Sequence, residues 1–333
     1  MKAVILAGGS GERFWPLSTR DTPKQFLALF GPSTLIEQTY GRMRQRFHPD
    51  DIIVITSKDH IERTANVLKD IPRENIIGEP VQRNTAPACA LAAMLSDPGE
   101  VNLVVPADHH IPRPDDFWRS FDIAMGDLVS RGGLFTFGIQ PTRPETGYGY
   151  IEAGERISEG VWAVERFIEK PDLERADIFS RSGGHYWNSG MFIWKAGEFL
   201  SELKRYAEDV HGPISGIDPR SPEQLEKVYP NLPKISVDHA VMERSDRIKM
   251  VEGDFKWSDV GNWLSLKEME GSFSQKSGVV EIDSDNVFIR STGKRPIGVV
   301  GLNDVIIIDT EHGLLICSDR NVQKVREVYR AIK

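Results

Sequence analysis

A chain of 333 residues with 40% hydrophobic and 27% charged content has room for one large globular domain and a smaller one, and no apolar run nears the roughly 18 residues of a membrane span. The net charge of −8, with no lysine- or arginine-rich run to offset it, speaks against a nucleic-acid partner, since such binding draws on a basic face. Cys89 and Cys317 lie far apart without metal-type spacing and read as core thiols of a reducing cytoplasm, and Met1–Leu6 runs straight into glycines and charges, as a buried strand does and a signal peptide does not.

In chain order, Lys2–Leu6, Asp51–Ile55, Asn75–Ile77, Val101–Val105 and Leu134–Ile139 read as strands. Several are apolar at successive positions, as parallel strands covered on both faces are. Helical patterns over Leu35–Phe47, Ile61–Ile71, Ala86–Ser96 and Asp115–Ser130 fall between them. The alternation predicts an α/β fold, a doubly wound and mostly parallel Rossmann-like sheet, with binding residues at the carboxyl ends of its strands. Beyond about Tyr150 the pattern loosens, with strands near Trp162–Glu169 and Gly190–Trp194 and a helix near Glu198–Tyr206. This stretch reads as an insertion covering one side of the same sheet. From about Gly271, short strands at Val279–Ile282, Val287–Ile289, Ile297–Val300, Val305–Ile308 and Leu314–Cys317 are separated by Gly, Asn and Asp turns. They predict a small all-β domain, with a short β-helix as one form open to it, although no strict repeat period stands out. Asn321–Ile332 closes the chain with a helical pattern. The expected domains are 1–270 and 271–333.

The densest signal is "LAGGSGERFWPLSTRDTPKQF", Leu6 to Phe26, directly after the first strand. A P-loop needs Gly-Lys-Ser/Thr, but Gly11 is followed by Glu12 and Arg13; the dinucleotide fingerprint needs a glycine where Phe14 stands. Gly8, Gly9 and Gly11 still let backbone N–H groups approach an anion, and Arg13 and Lys24 add charge-assisted contacts. The plain alternative is a tight strand-to-helix turn beside two surface cations.

The pattern Leu-Ala-Gly-Gly-Ser-Gly-x-Arg with Pro-Lys-Gln-Phe resembles the signature of the sugar-1-phosphate nucleotidyltransferases, and within them looks most like the mannose-1-phosphate guanylyltransferase branch. Further blocks match in the family's order over most of the chain. The resemblance implies that 1–270 is the catalytic domain and that Leu6, Ala7, Gly8, Gly9 and Gly11 bind the nucleotide. "EPVQRNTAPA" would lie at the base. Guanine offers two adjacent donors that a carboxylate accepts together, which suits Glu79. Asn84 and Thr85 have two readings, contact with base or ribose and capping of the helix that follows. Asp108 in "LVVPADHH" and Asp259 in "KWSDVGNW" match the family's metal-binding aspartates, for Mg2+ or another divalent ion such as Mn2+. His109 and His110 read as structural or outer-shell groups.

In "RFIEKP", the resemblance gives Lys170 to the sugar phosphate and Glu169 to the sugar hydroxyls. Neighbours on a regular strand point to opposite faces, so both reach one ligand only if the strand bends, and Pro171 favours a bend. Gly147 in "TGYGYIE" and Asn188 in "YWNSGMFIW" would complete the sugar site, while Trp187 and Trp194 read as core. The implied reaction is GTP plus mannose 1-phosphate giving GDP-mannose and pyrophosphate, with catalytic roles for Arg13, Lys24 and Lys170. The attacking phosphate is already ionised, so no general base is needed; positioning and charge stabilisation carry the rate. The rival readings are a thymidylyl- or adenylyltransferase acting on glucose 1-phosphate and a non-catalytic subunit that binds the nucleotide sugar; a dinucleotide-dependent oxidoreductase is remote. The branch includes members with a further isomerase domain, for which this chain stops too soon, so a single activity is expected. A homodimer paired through the small β domain is expected by analogy, with no nucleic acid and no membrane as partner.

Overall fold

The Val-, Ile- and Leu-rich runs form strands, as their β-branching favours, in a computed structural model that describes residues 1–9, 11–270 and 278–332. Two units can be told apart by their internal packing: one holds Met1–Gly8, Glu37–Ala107 and Ile111–Trp257, the other Gly9–Ile36, Asp108–His110 and Ser258–Lys333.

The first unit holds β1 (Lys2–Ala7), β2 (Ile52–Ser57), β3 (Ile76–Glu79), β4 (Val101–Pro106), β5 (Leu134–Ile139), β6 (Tyr150–Ser158), β7 (Val161–Ile168), β8 (His185–Lys195) and β9 (Ile248–Glu252). They make one nine-stranded sheet in the order β3-β2-β1-β4-β8-β5-β9-β7-β6. Pairing is parallel from β3 to β4 and between β5 and β9, and antiparallel at β8, β7 and β6. The sheet is therefore a mixed one. Beyond Tyr150, β6 to β9 extend the sheet, while Phe199, Leu203, Val210 and Ile214 join the cluster that covers the face of Val4 and Val104, as expected of an insertion on one side. β6 and β7 are a hairpin turned at Glu159-Gly160, where Gly160 takes φ 69°, a left-handed value suited to glycine.

β1, β2 and β4 are mostly apolar because both faces are covered. Val4, Ile53, Ile55 and Val104 turn toward the helix Thr85–Met94. That helix buries Ala86 through Ala93, so it is apolar all round rather than amphipathic. The helix Pro114–Arg131 buries Phe117, Trp118 and Phe121, with the Phe117 ring 5.3 Å from Phe137. Trp194 and Trp187 are core residues as expected, Trp194 stacking 4.2 Å from Phe199. β3 starts one residue later than Asn75, because Asn75 closes a 3-10 turn and its amide donates to the Asp50 carbonyl at 3.0 Å. Two helices stop short of expectation, at Met43 and Val67; the first tightens into i→i−3 bonds such as Arg46 N to Met43 O.

The second unit holds β10 (Val279–Ile282), β11 (Asp285–Ser291), β12 (Ile297–Val300), β13 (Asn303–Thr310) and β14 (Gly313–Ser318). β10 pairs β12 in parallel, with Val279 beside Ile297, and β11 pairs β13 in parallel, with Asp285 beside Asn303. Both registers span the same offset, 18 residues, so the strands are successive coils of a short β-helix. The corners repeat too: Asp283 and Gly301 are left-handed at φ 48° and 65°, and Asn286 and Asp304 both at φ 54°. The Asn286 amide donates to the Asp304 carboxylate at 2.6 Å, linking one coil to the next.

Along β11 and β13, Val287, Ile289, Val305 and Ile307 fill the coil interior. Their alternates, Phe288, Ile306 and Ile308, face outward into a second cluster with Phe14, Trp15, Val260, Trp263 and, from the helix Val325–Ile332, Val325 and Tyr329. The signature loop is thus packed against the β-helix. The boundary expected at 270/271 borders residues 271–277, which lie outside the described residues. Cys89 and Cys317 are free thiols, and no helix among the described residues is long and apolar enough to cross a membrane.

Candidate functional site

In the second unit the loop after β1 leaves the strand at Gly9 and turns at Gly11. Gly11 sits at φ 65° as the cap of a 3-10 turn over Glu12–Phe14. A Cβ there would lie 2.4 Å from Lys24 Cβ and 2.7 Å from Lys24 N, so only glycine lets the two chains meet. Lys24 is buried, and its ammonium donates to Asp108 Oδ2 at 2.7 Å and to the Asp259 carbonyl at 2.5 Å. One cation thereby ties together segments around residues 24, 108 and 259. Burial works to raise the Asp108 carboxyl, yet the Lys24 ammonium, with His109 behind it, outweighs burial and holds it below the ordinary carboxylate range. Val260, next to Asp259, is left-handed at φ 46° although β-branched, a strained conformation.

These residues line a cavity of about 340 Å³ whose wall includes Gly11, Arg13, Lys24, Asp108, Asp259 and Gly261. Arg13 donates to the Gly261 carbonyl at 3.3 Å. The expected phosphate and metal residues are therefore gathered, with Gly9 at the loop's exposed start. A Cβ at Gly9 would meet nothing within 4 Å, so the polypeptide itself does not require a glycine there. Three carboxylates line this cavity, Glu12 paired with Arg330 among them; the two aspartates, with room left for phosphate oxygens and water, suit a hard divalent cation. No group of three or more His, Cys, Asp or Glu side chains with metal-binding geometry occurs among the described residues. His110 stacks on Phe30 at 3.8 Å and His109 is buried, in keeping with structural roles. The cavity wall also holds Arg326 and Arg330, which sequence reasoning missed; their only signal was four-residue spacing on the last helix.

In the first unit, Glu79 ends β3 and is 4% exposed. Its Oε1 accepts from the Tyr229 hydroxyl at 2.6 Å, and a Cβ on Gly8 would stand 3.1 Å from its Oε2. Burial pushes the carboxyl up to about 7, against the Tyr229 bond, which pulls the other way. Leu6 and Ala7, the last residues of β1, belong to the same sheet. Asn84 caps the helix Thr85–Met94, its Oδ1 accepting from Thr85 N at 2.9 Å, and it does so at φ 68°. The Thr85 hydroxyl accepts from Val237 N at 2.9 Å. The capping reading of Asn84 is thus realised, and Thr85 has a structural bond of its own.

Also in the first unit, β7 ends at Ile168, and Lys170 is left-handed at φ 44°, so the chain bends where both neighbours were expected to serve one ligand. The Lys170 ammonium is ion-paired with Glu169. A Cβ on Gly149 would stand 2.8 Å from Glu169 Oε2, and the Gly149 carbonyl accepts from Asn188 N at 2.8 Å. Glu169 and Asn188 therefore flank one glycine. Asn188 Nδ2 donates to Asp238 Oδ1 at 2.8 Å, and its Oδ1 accepts from the Thr136 hydroxyl at 2.9 Å. Burial raises the Asp238 carboxyl, opposed by the Asn188 bond and the Lys170 charge. Asp238, on a π-helical turn, was not foreseen; an acid inside the apolar run "SVDHAVM" was the available signal. Gly147 N donates to Glu145 Oε1 at 2.9 Å, so its backbone is engaged within its own loop.

Two outcomes follow from this packing. Gly11→Ala forces the loop off Lys24 and costs about 2 kcal/mol or more in a denaturant titration, with turnover falling at least about tenfold. Glu79 acts through proton counting. Between its ordinary 4.5 and about 7 the folded chain keeps a proton that the unfolded chain has lost, so stability drains away as pH rises through that window. Glu79→Gln removes this titration, and its stability relative to the parent chain rises from about pH 5 to about pH 8 in parallel melts.

The same regions carry the likeness to known proteins. Residues 2–276 match the family described as Nucleotidyl transferase, and residues 277–331 the MannoseP isomerase/GMP-like beta-helix domain. The alginate biosynthesis protein AlgA of Pseudomonas fluorescens is 40% identical, over 98% of this chain and 71% of its own length. The mannose-1-phosphate guanylyltransferase of Escherichia coli (strain K12) is 39% identical, over 99% of this chain and 73% of its own. A crystal structure of mannose-1-phosphate geranyltransferase from Thermus thermophilus is similar with a TM-score of 0.86 and 31% identity, covering 99% of this chain and 98% of that one. With the glycine loop and its neighbouring strands inside a family match that spans most of its length, the chain belongs to the nucleotidyl transferase family and is a nucleotidyltransferase.

Proposed function

We propose that the chain transfers GMP from GTP to α-D-mannose 1-phosphate, giving GDP-mannose and pyrophosphate. The observation that carries this reading is the cavity in which Gly11, Arg13 and Lys24 meet Asp108 and Asp259. In this reading Leu6, Ala7 and Gly8 present backbone to the nucleotide, and Gly9 and Gly11 let the triphosphate approach closely. That Gly9 has no packing reason to lack a side chain supports a ligand as the reason. Glu79 reads the two adjacent donors of guanine, held in place by Tyr229 and left clear by the missing side chain of Gly8. Asn84 and Thr85 border the base or ribose besides their structural bonds.

Lys170 holds the sugar phosphate, and Glu169, Gly147 and Asn188 meet the sugar, with Asp238 orienting the Asn188 amide. A sugar-phosphate oxygen bonds to the α-phosphorus while the bond to the β-phosphate oxygen breaks, and that electron pair leaves with pyrophosphate. No proton needs removing from the nucleophile, which is already ionised at neutral pH. Asp108 and Asp259 would hold Mg2+ or Mn2+, which supplies charge neutralisation to the triphosphate when bound. Arg13 and Lys24 stabilise charge on the departing phosphates. The reading includes a catalytic role for residues 1–270, a homodimer paired through the β-rich residues 271–333, and work in the cytoplasm. Exposed Val280, Ile282 and Val300 on β10 and β12 support the pairing.

The test is pyrophosphate release by the purified chain from GTP, ATP, UTP or dTTP, each with mannose 1-phosphate or glucose 1-phosphate. GTP with mannose 1-phosphate is expected to exceed every other pair by at least about tenfold in kcat/KM. A different best pair would replace the substrates named above. No release from any pair would leave a nucleotide-sugar-binding regulatory protein.

A further inference from the structure

The C-terminal helix Val325–Ile332 turns one face into the apolar cluster through Val325 and Tyr329, beside Phe14 and Trp263. That anchoring fixes its other face. Arg326 and Arg330, four residues apart and so on one side of the helix, stand on the wall of the cavity with Arg13, Lys24, Asp108 and Asp259.

The charges in this cavity are unevenly spent. Lys24 is neutralised by Asp108 at 2.7 Å, and Arg330 pairs with Glu12 at 2.8 Å. Arg13 bonds only a neutral carbonyl, that of Gly261. Arg326 has no hydrogen-bond or ion-pair partner among the described residues. Among the described residues, Arg13 and Arg326 thus face one cavity without an ion pair of their own, which leaves both open to an anion. A guanidinium presents a planar fork that matches phosphate oxygens in pairs.

We propose that Arg326, seconded by Arg330, binds the polyphosphate of the nucleotide and the pyrophosphate that departs from it. The inference rests on the reading of this cavity as the triphosphate site and extends it to the last helix of the chain. The β-helix then does more than support the loop: its terminal helix supplies two of the cations that hold the leaving group. The Glu12–Arg330 pair keeps one of them folded back until phosphate competes for it.

The experiment is calorimetric titration of inorganic pyrophosphate, with magnesium present, into the full chain and into Arg326→Ala, Arg326→Lys and Lys324→Ala. Arg326 is exposed and has no partner among the described residues, so its loss leaves the fold intact, and Lys324 is an exposed neighbour outside the cavity. Arg326→Ala is expected to weaken pyrophosphate binding about tenfold. Arg326→Lys recovers part of the loss, and Lys324→Ala binds within about twofold of the parent chain. In the reverse reaction, the KM for pyrophosphate rises by the same factor as the binding loss while the KM for the nucleotide sugar holds. A loss below about threefold in Arg326→Ala, or an equal rise in both KM values, overturns the proposal. Because the titration needs no turnover, it reads this inference even if the substrate screen returns another nucleotide or sugar.

Discussion

The Lys24 ammonium is the point on which the cavity lined by Gly11, Arg13, Asp108 and Asp259 turns. A buried cation is tolerable only when paired and hydrogen-bonded, and Lys24 meets that condition with the Asp108 carboxylate at 2.7 Å and the Asp259 carbonyl at 2.5 Å. Those partners come from chain segments remote in sequence. The tie therefore decides where both aspartates stand before any ligand arrives. It also explains the glycine at position 11, which a Cβ would drive into Lys24, and the strained backbone at Val260, which follows the bonded carbonyl. Strain of that kind persists only where packing over-determines it. Here Val260 is fully buried among Phe14, Trp263, Phe288 and Ile306. The β-helix is thus the floor on which the signature loop is built.

Among the described residues, left-handed backbone at residues other than glycine falls into two groups. Asp283, Asn286 and Asp304 turn the corners of the β-helix, where short polar side chains tolerate it. Asn84, Lys170 and Val260 take it inside three motifs singled out for base, sugar phosphate and metal. At Lys170 the consequence is direct. The twist lets Glu169 and Lys170 pair with each other, so two neighbours that a regular strand would send to opposite faces share one side. Each of the cations Lys24, Lys170 and Arg330 is matched by a carboxylate.

Much of this was legible in the sequence, for identifiable reasons. The first strands announce themselves because burial on both faces leaves unbroken apolar runs, and the loop after β1 does so because its glycines and cations have little other use. The antiparallel side of the sheet was harder to read. β6 carries polar residues at Glu152, Glu155 and Arg156 and is only partly covered, so it lacks the apolar run that marked β1. The coil of 18 residues escaped because there are just two turns of it and its corners use different residues, Asp283 in one and Gly301 in the next. Partnerships across the chain were out of reach altogether. Nothing local to Tyr229 points to Glu79, 150 residues away, and nothing local to Arg326 points to Gly11.

The claim beneath this account is that Lys24 and Asp108 act as one coupled pair that shapes the cavity they line. A double-mutant cycle measures it directly, with Lys24→Met, Asp108→Asn and the double variant compared by denaturant unfolding of the unliganded chain. The account predicts that the single changes each destabilise the chain and that their effects fall short of adding by more than about 1 kcal/mol, as directly paired charges with one member buried do. Additivity within about 0.5 kcal/mol, the behaviour of independent sites, would contradict it.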